Sequence, residues 1–236
     1  MITHSVAIVL KRFPYSESSI IARCFVRGMG KVSFIVHGAH RKKSPMGAYF
    51  QPINCLDLVY YFKESRDLQT ISKAAFSNNW SIIPTDLKKI SYAMALIELT
   101  DKCLTDHDAH PDLYDELVRT LKRIDQEEKQ LNLAYWFYQY QLLKHLGFKP
   151  DFSQAELDFV PLPNPYAGPN SKVVFDHFQQ NQTGMQTGLR ITAQDRKAIS
   201  DYLNTCLGIH FDGIRNLKSL QILREMVVAL SLRHSG

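Results

Sequence analysis

The hydrophobic periodicity of this chain changes near Trp80, and this change constrains the fold more than any other feature. Before Trp80 the pattern repeats every two residues. From Ser19 to Arg27, one face is aliphatic and the other places an aromatic ring between two arginines. After Asp86, apolar residues recur every three or four positions instead. We therefore predict an α+β multidomain protein, with a β-rich N-terminal domain followed by an all-α helical domain.

The N-terminal domain, residues 1–80, contains five strand-like runs separated by turns. Pro14 and Ser16 mark the first turn, and Gly28-Met29-Gly30 is typical of a hairpin. Five short strands in about 75 residues predict a five-stranded β-barrel of the OB-fold kind. The strand-like runs are 5–12, 19–27, 31–36, 53–62 and 68–74.

The helical domain, residues 81–236, is predicted to contain five helices. Thr85 or Asp86 can cap the first, and the third, central helix is apolar almost all round, so we expect it to be buried. Prolines and glycines are dense between 151 and 192, which favours an irregular insertion with one short strand pair around Val173-Val174-Phe175. The helices are expected after Asp86, after Pro111, over 131–146, near 193–207 and near 215–233.

Charge is distributed unevenly along the chain. The formal net charge is +5, yet residues 1–80 carry eleven Lys and Arg against four Asp and Glu, a net of +7 that leaves −2 for the remainder. Because Lys and Arg neutralise phosphates and release counterions, the N-terminal domain is predicted to bind nucleic acid.

A basic loop from His40 to Gly47, between the third and fourth strands, is well suited to phosphate contacts. Cations of the second and third strands are close to it in the chain and could complete a groove. The alternative is a loop that is basic only for solubility, and most aromatic rings of this domain are expected to lie in the core. The predicted DNA-binding residues are Arg23, Arg27, Lys31, Arg41, Lys42 and Lys43.

The common catalytic motifs do not occur in the sequence. It has no Walker A loop, dinucleotide-binding fingerprint, nucleophile elbow or zinc-protease motif. The four cysteines form no C-x-x-C pair and are expected to be small buried residues. His107 and His110 fit a polar interhelical loop better than a metal site. We therefore expect a binding protein rather than an enzyme, with no cofactor and no metal.

Membrane and export signals are also missing from the sequence. The longest apolar stretches, such as Ile53 to Phe62, contain polar residues and fall short of the ~20 residues that cross a bilayer. Met1 to Ser5 lacks the charged and apolar regions of a secretory signal. We expect a cytoplasmic protein without membrane contact.

Three short motifs follow one another along the chain. The first runs from Gly30 to Ser44 and is followed by Gln51-Pro52. The second, Leu142 to Phe152, ends the central helix, and the third, Leu217-Lys218-Ser219, enters the last helix. In their order and spacing, these motifs resemble those of the RecO family of bacterial recombination mediators.

This resemblance implies an N-terminal OB-fold and a C-terminal helical domain in a nucleoid-associated protein. Such a protein binds single- and double-stranded DNA, anneals complementary strands and, with RecR, helps to load RecA onto DNA coated by single-strand-binding protein. Many members carry a four-cysteine zinc module after the Gly-Phe-x-Pro segment, whereas residues 151–192 of this chain contain no cysteine. We therefore predict no zinc module here.

The resemblance also implies that the helical domain binds the acidic, hydrophobic C-terminal tail of single-strand-binding protein. Near the exit of the central helix, two lysines flank apolar side chains, which suits such a ligand. Two alternatives stay open: an interaction scaffold whose DNA binding is incidental, and an OB-fold that binds single-stranded nucleic acid in general, RNA included. The predicted docking residues are Lys144, Leu146, Phe148, Lys149 and Phe152.

Overall fold

The computed structural model describes residues 1–181, 189–214, 217–219 and 222. Its N-terminal part is a closed barrel in the order β1-β2-β3-β5-β4. β3 and β5 pair in parallel, and the other neighbours pair antiparallel, so the predicted OB-fold is confirmed. The strands are β1 (Ile2–Pro14), β2 (Ile20–Val26), β3 (Gly30–Val36), β4 (Cys55–Tyr61) and β5 (Leu68–Asn78).

β2 shows the two faces that its alternation predicts. Ala22, Cys24 and Val26 are fully buried in the barrel core. Phe25 points the other way and is equally buried, but it belongs to the hydrophobic cluster of the helices. Both faces of β2 are therefore covered, one by the barrel and one by the helical part.

A short helix, α1 (Met46–Tyr49), covers one end of the barrel. Met46 and Tyr49 pack against the barrel core, and Phe50, directly after the helix, is fully buried. Gly47 allows this approach because a Cβ at that position would overlap the carbonyl oxygen of Ala39. The sequence predicted only a basic loop in this region.

In the part of the chain that the structure describes, five longer helices follow the barrel. Four of them confirm the helices predicted after Asp86, after Pro111, over 131–146 and near 193–207, whereas the helix over Ser171–Gln179 was not predicted. Asp86 caps the first of them, since its carboxylate accepts hydrogen bonds from the N–H groups of Lys88 and Lys89 at 2.8 and 3.0 Å. The central helix is buried on nearly every side, as its composition predicts. The helices are α2 (Leu87–Cys103), α3 (Pro111–Gln126), α4 (Leu131–His145), α5 (Ser171–Gln179) and α6 (Ala193–His210).

The segment after α4 differs from the prediction. The strand pair expected around Val173-Val174-Phe175 is wrong, because these residues lie in α5. Val174, Phe175 and Phe178 are one and three positions apart and bury one face of that helix, a helical repeat that a short apolar run conceals. The strand pair is instead β6 (Glu156–Leu157) with β7 (Val160–Pro161). The helix predicted over 215–233 lies mostly outside the described residues.

The barrel and the helices share apolar packing. Ile8, Leu10 and Phe25 of the barrel join the same hydrophobic cluster as residues of α2, α3 and α4. β5 ends at Asn78 and α2 begins at Leu87, so the connection is short. The placement of the domain boundary at residue 80 stays a prediction.

Candidate nucleic-acid interface

The six cations predicted to bind DNA separate into two groups. Arg41, Lys42 and Lys43 are exposed on the loop between β3 and α1. Among the described residues, none of these three has an acidic side chain within ion-pair distance. The other three cations point toward the helices.

Backbone hydrogen bonds hold the basic loop in place. Arg41 N donates to Gly38 O, just before the loop, at 3.1 Å, and Ser44 N donates to Arg41 O at 2.9 Å, which makes two successive turns. His40 N donates to Ser18 O at 3.2 Å and so joins the loop to the β1–β2 turn. The three cations are therefore displayed from a folded loop, although their side chains extend into solvent.

Arg12 adds a fourth exposed cation that the sequence prediction missed. Its Nη1 donates to Gly47 O of α1 at 3.4 Å, which places it beside the basic loop. The sequence did contain an indication that Arg12 is exposed, since it lies two residues before the turn at Pro14. We call the surface formed by Arg12, loop residues 37–45 and α1 the basic end of the barrel.

Arg27 makes a two-pronged ion pair with α3. Its Nε and Nη2 donate to the two carboxylate oxygens of Asp115 at 2.8 and 2.7 Å. These hydrogen bonds hold the pKa of Asp115 below its ordinary value, and Asp115 in turn raises the pKa of Arg27. Arg27 is therefore engaged within the protein.

Arg23 and Lys31 also contact the helical part. Arg23 Nη1 lies 3.6 Å from a carboxylate oxygen of Asp101 in α2. The Lys31 side chain is only 11% exposed, and its Nζ donates to the carbonyl oxygens of Asp101 and Leu104 at 3.0 and 2.7 Å. A cation at that position suits the negative end of the α2 dipole.

The face of β2 and β3 is consequently occupied. This face is where OB-folds commonly bind oligonucleotides. Here Phe25 packs edge-on against Tyr114 of α3, with ring centroids 5.5 Å apart, and the flanking cations meet acids of the helices. The prediction that Arg23, Arg27 and Lys31 bind DNA stays untested, but the structure engages all three in holding the barrel against the helices.

The predicted docking residues are distributed over two grooves and the core. Lys144 lines a groove of about 550 Å³ between α3 and α4, together with Arg119, Arg123 and His145. Its Nζ donates to Asn181 Oδ1 at 3.0 Å. Burial lowers the pKa of His145, which favours its neutral form. Acidic side chains line the groove as well, namely Asp112, Asp115 and Glu116, and Glu116 pairs with Arg119 at 2.7 Å.

Phe148 and Lys149 line a second, smaller groove of about 250 Å³. The Phe148 ring stacks on His210 with centroids 4.0 Å apart. Leu146 is half-buried against the main hydrophobic cluster, whereas Phe152 is 8% exposed and belongs to that cluster. Only part of the predicted docking set therefore reaches the surface.

The cysteines and the histidine loop lie as predicted. All four cysteines are buried and free, and burial raises the pKa of each thiol, which leaves them poor nucleophiles. His107 and His110 lie between α2 and α3, where His110 Nε2 is 3.0 Å from Asp108. Within the described ranges, no three His, Cys, Asp or Glu side chains are grouped to hold a metal ion. None of the described helices is long and apolar enough to cross a membrane.

Two family models match the chain. One, described as Recombination protein O N terminal, matches residues 1–80, and the other, Recombination protein O C terminal, matches residues 84–174. Together they cover the barrel and the helical part up to the middle of α5.

Proteins named DNA repair protein RecO are similar to this chain. The Salinibacter ruber protein is 30% identical over 159 residues, which cover 67% of this chain and 61% of that protein. The Exiguobacterium sibiricum protein is 32% identical over 150 residues, covering 64% and 59%. The Flavobacterium johnsoniae protein is 24% identical over 230 residues, covering 93% and 97%. The chain thus spans less than two thirds of the first two relatives and nearly all of the third.

Proposed function

Because the chain belongs to the recombination protein O family, we propose that it binds DNA in recombinational repair, as a binding protein rather than an enzyme. In this proposal it binds single- and double-stranded DNA and anneals complementary strands. With RecR, it helps to load RecA onto DNA coated by single-strand-binding protein. Family membership supports the repair role, and the partner proteins are expectations from the resemblance.

The basic end of the barrel is the observation that carries the DNA-binding proposal. Arg12, Arg41, Lys42 and Lys43 are exposed there, and no acid pairs with them among the described residues. Phosphates therefore meet cations that need not break an existing ion pair. Annealing follows because two phosphate backbones repel each other less on one basic surface.

The groove between α3 and α4 supports the proposed docking of the tail of single-strand-binding protein. Lys144 can attract an acidic segment there, and Arg119 and Arg123 can do so by exchanging their ion pairs with Glu116 and Glu127. The Phe148 and Lys149 groove is the other candidate surface. We leave the buried Phe152 out of the proposed docking surface.

The test changes Arg41, Lys42 and Lys43 together to Gln and measures binding to a single-stranded oligonucleotide as a function of salt. Each phosphate contact on a single strand contributes about 0.7 to the slope of log affinity against log salt, so losing three lowers the slope by about 2. We also expect slower annealing of complementary oligonucleotides, followed by a fluorescence quench.

The matched control changes Lys63, Arg66 and Lys73 to Gln. These three cations are also exposed on the barrel, and their removal lowers the net charge by the same amount. Lys63 and Arg66 lie in the β4–β5 turn, away from the basic end. If the two triple variants bind DNA with equal affinity and equal salt slope, the basic end is not the DNA site.

A further inference from the structure

Two aromatic rings lie in contact at the basic end of the barrel. The rings of Tyr49 in α1 and Phe76 near the end of β5 meet edge to face, with centroids 4.9 Å apart. Phe76 is 44% exposed, a large value for an aromatic residue in a strand. Ser77 and Asn78, which follow it in the chain, are polar and exposed.

The ring pair is connected to the cations through α1. Tyr49 is two residues from Gly47, whose carbonyl oxygen accepts the hydrogen bond from Arg12. Tyr49 N donates to Pro45 O at 3.1 Å, and Pro45 follows directly on the basic loop segment that carries Arg41 to Lys43. The first residue of α1 thus comes directly after Pro45 and the three cations of the basic loop, and its last residue, Tyr49, carries one of the two rings.

We propose that Phe76, backed by Tyr49, stacks on unpaired bases of a single strand whose phosphates are bound by the cations of the basic end. This inference rests on the proposed DNA binding and adds the group that recognises the bases. Unpaired bases present free faces to a ring, whereas the bases of a duplex are stacked on one another. The ring pair therefore gives the site a preference for single strands, which phosphate contacts alone do not provide.

The experiment compares the Phe76→Leu and Phe76→Trp variants of the full chain with the unchanged protein. Binding is measured to a single-stranded oligonucleotide and to a blunt duplex. Loss of one stacked base lowers the single-strand affinity of Phe76→Leu by about fivefold or more. Duplex affinity stays the same, and Phe76→Trp, which keeps a stacking ring, restores single-strand binding.

Tyr61→Leu is the control for loss of an exposed ring. Tyr61 is 50% exposed and pairs with Ile2 at the other end of β4, so this change leaves both affinities as they are. Melting temperatures of all variants show whether they are folded.

The inference is overturned if Phe76→Leu binds single strands normally, or if it loses single-strand and duplex affinity equally. Both results leave the proposed DNA binding intact as long as the Arg41, Lys42 and Lys43 variant still loses affinity. The failure of that triple variant to lose affinity would count against DNA binding at the basic end itself.

Discussion

At the scale of single residues, Asp125 fixes how the chain passes from the barrel to the helices. It lies in the last turn of α3 and is 7% exposed. Its carboxylate accepts hydrogen bonds from the N–H groups of Ser81, Ile82 and Ile83 at 3.0, 2.8 and 2.8 Å. The buried Lys89 donates to the Asp125 carbonyl oxygen at 2.7 Å. One carboxylate thus satisfies three consecutive backbone donors of the connection.

We predict that Asp125→Asn lowers the free energy of unfolding by about 1–3 kcal/mol at neutral pH, because an amide group has only one oxygen to accept these bonds. Burial raises the pKa of Asp125, but the three N–H donors and Lys89 lower it more, so the net shift is downward. The carboxylate therefore stabilises the fold fully above its ordinary pKa and loses this effect as the pH falls through the lowered value.

Urea unfolding of both proteins between pH 7 and pH 3 tests this prediction. The difference in unfolding free energy should be largest at pH 7 and should shrink in acid. Asp201→Asn is the control, since the Asp201 side chain is 45% exposed and, within the described ranges, its ion pair is with Lys197 one helical turn away. A difference that does not change with pH would contradict the assigned role of the charge.

At the scale of secondary-structure elements, the β2–β3 turn is inserted against the loop between α2 and α3. His107 N donates to Lys31 O at 3.1 Å, and Lys31 and Asp106 form an isolated β-bridge. Gly30 has φ +74°, and a Cβ there would overlap main-chain atoms of Asp108. Glycine is thus required for two reasons, its backbone conformation and the close approach of another chain segment.

Gly30→Ala should therefore lower the free energy of unfolding by about 2–4 kcal/mol, as strain and overpacking add. Gly28, two residues earlier in the same turn, provides the comparison because a Cβ there would meet nothing within 4 Å. We expect Gly28→Ala to stay within about 0.5 kcal/mol of the unchanged protein. Thermal and urea unfolding measure the stability of both variants. Equal losses of stability in the two variants would contradict the close contact between Gly30 and the main chain of Asp108.

At the scale of the whole molecule, the barrel and the helices are joined by apolar packing as well as by charge. Ile8, Leu10, Phe25 and Cys55 of the barrel are buried in the same cluster as the helix residues. Exposing that surface would be costly, since each large apolar side chain contributes about 1.5–3 kcal/mol when buried. The exposed ion pair of Arg27 with Asp115 also joins the barrel to α3.

This packing predicts that the barrel and the helices unfold together. In native-state hydrogen exchange, the slowest amides of β2 and α4 should report the same opening free energy. Asp125→Asn should lower both values equally, because it weakens the connection that both parts share. Two values that differ by more than about 1 kcal/mol would show that the parts open independently.

The sequence by itself determined the five strands of the barrel and four of the helices that follow it, but neither α1 nor α5. Strand alternation in β2, the cap at Asp86 and the apolar surface of α4 are local signals, because each depends on residues within a few positions of one another. The excess of cations before Trp80 also needs no knowledge of the fold, because it follows from counting charges along the chain. The strand pair was misplaced because the run of Val173 to Phe175 is too short to separate a strand from a helix by its period.

Only the tertiary structure decided which cations are free. The alternation of β2 put Arg23, Phe25 and Arg27 on one face but did not show what covers that face. The answer depends on Asp101, Tyr114 and Asp115, which follow in the chain by 78 to 89 positions. Contacts at that separation follow from how whole elements pack, and a pattern with a period of two or four residues carries no information about them.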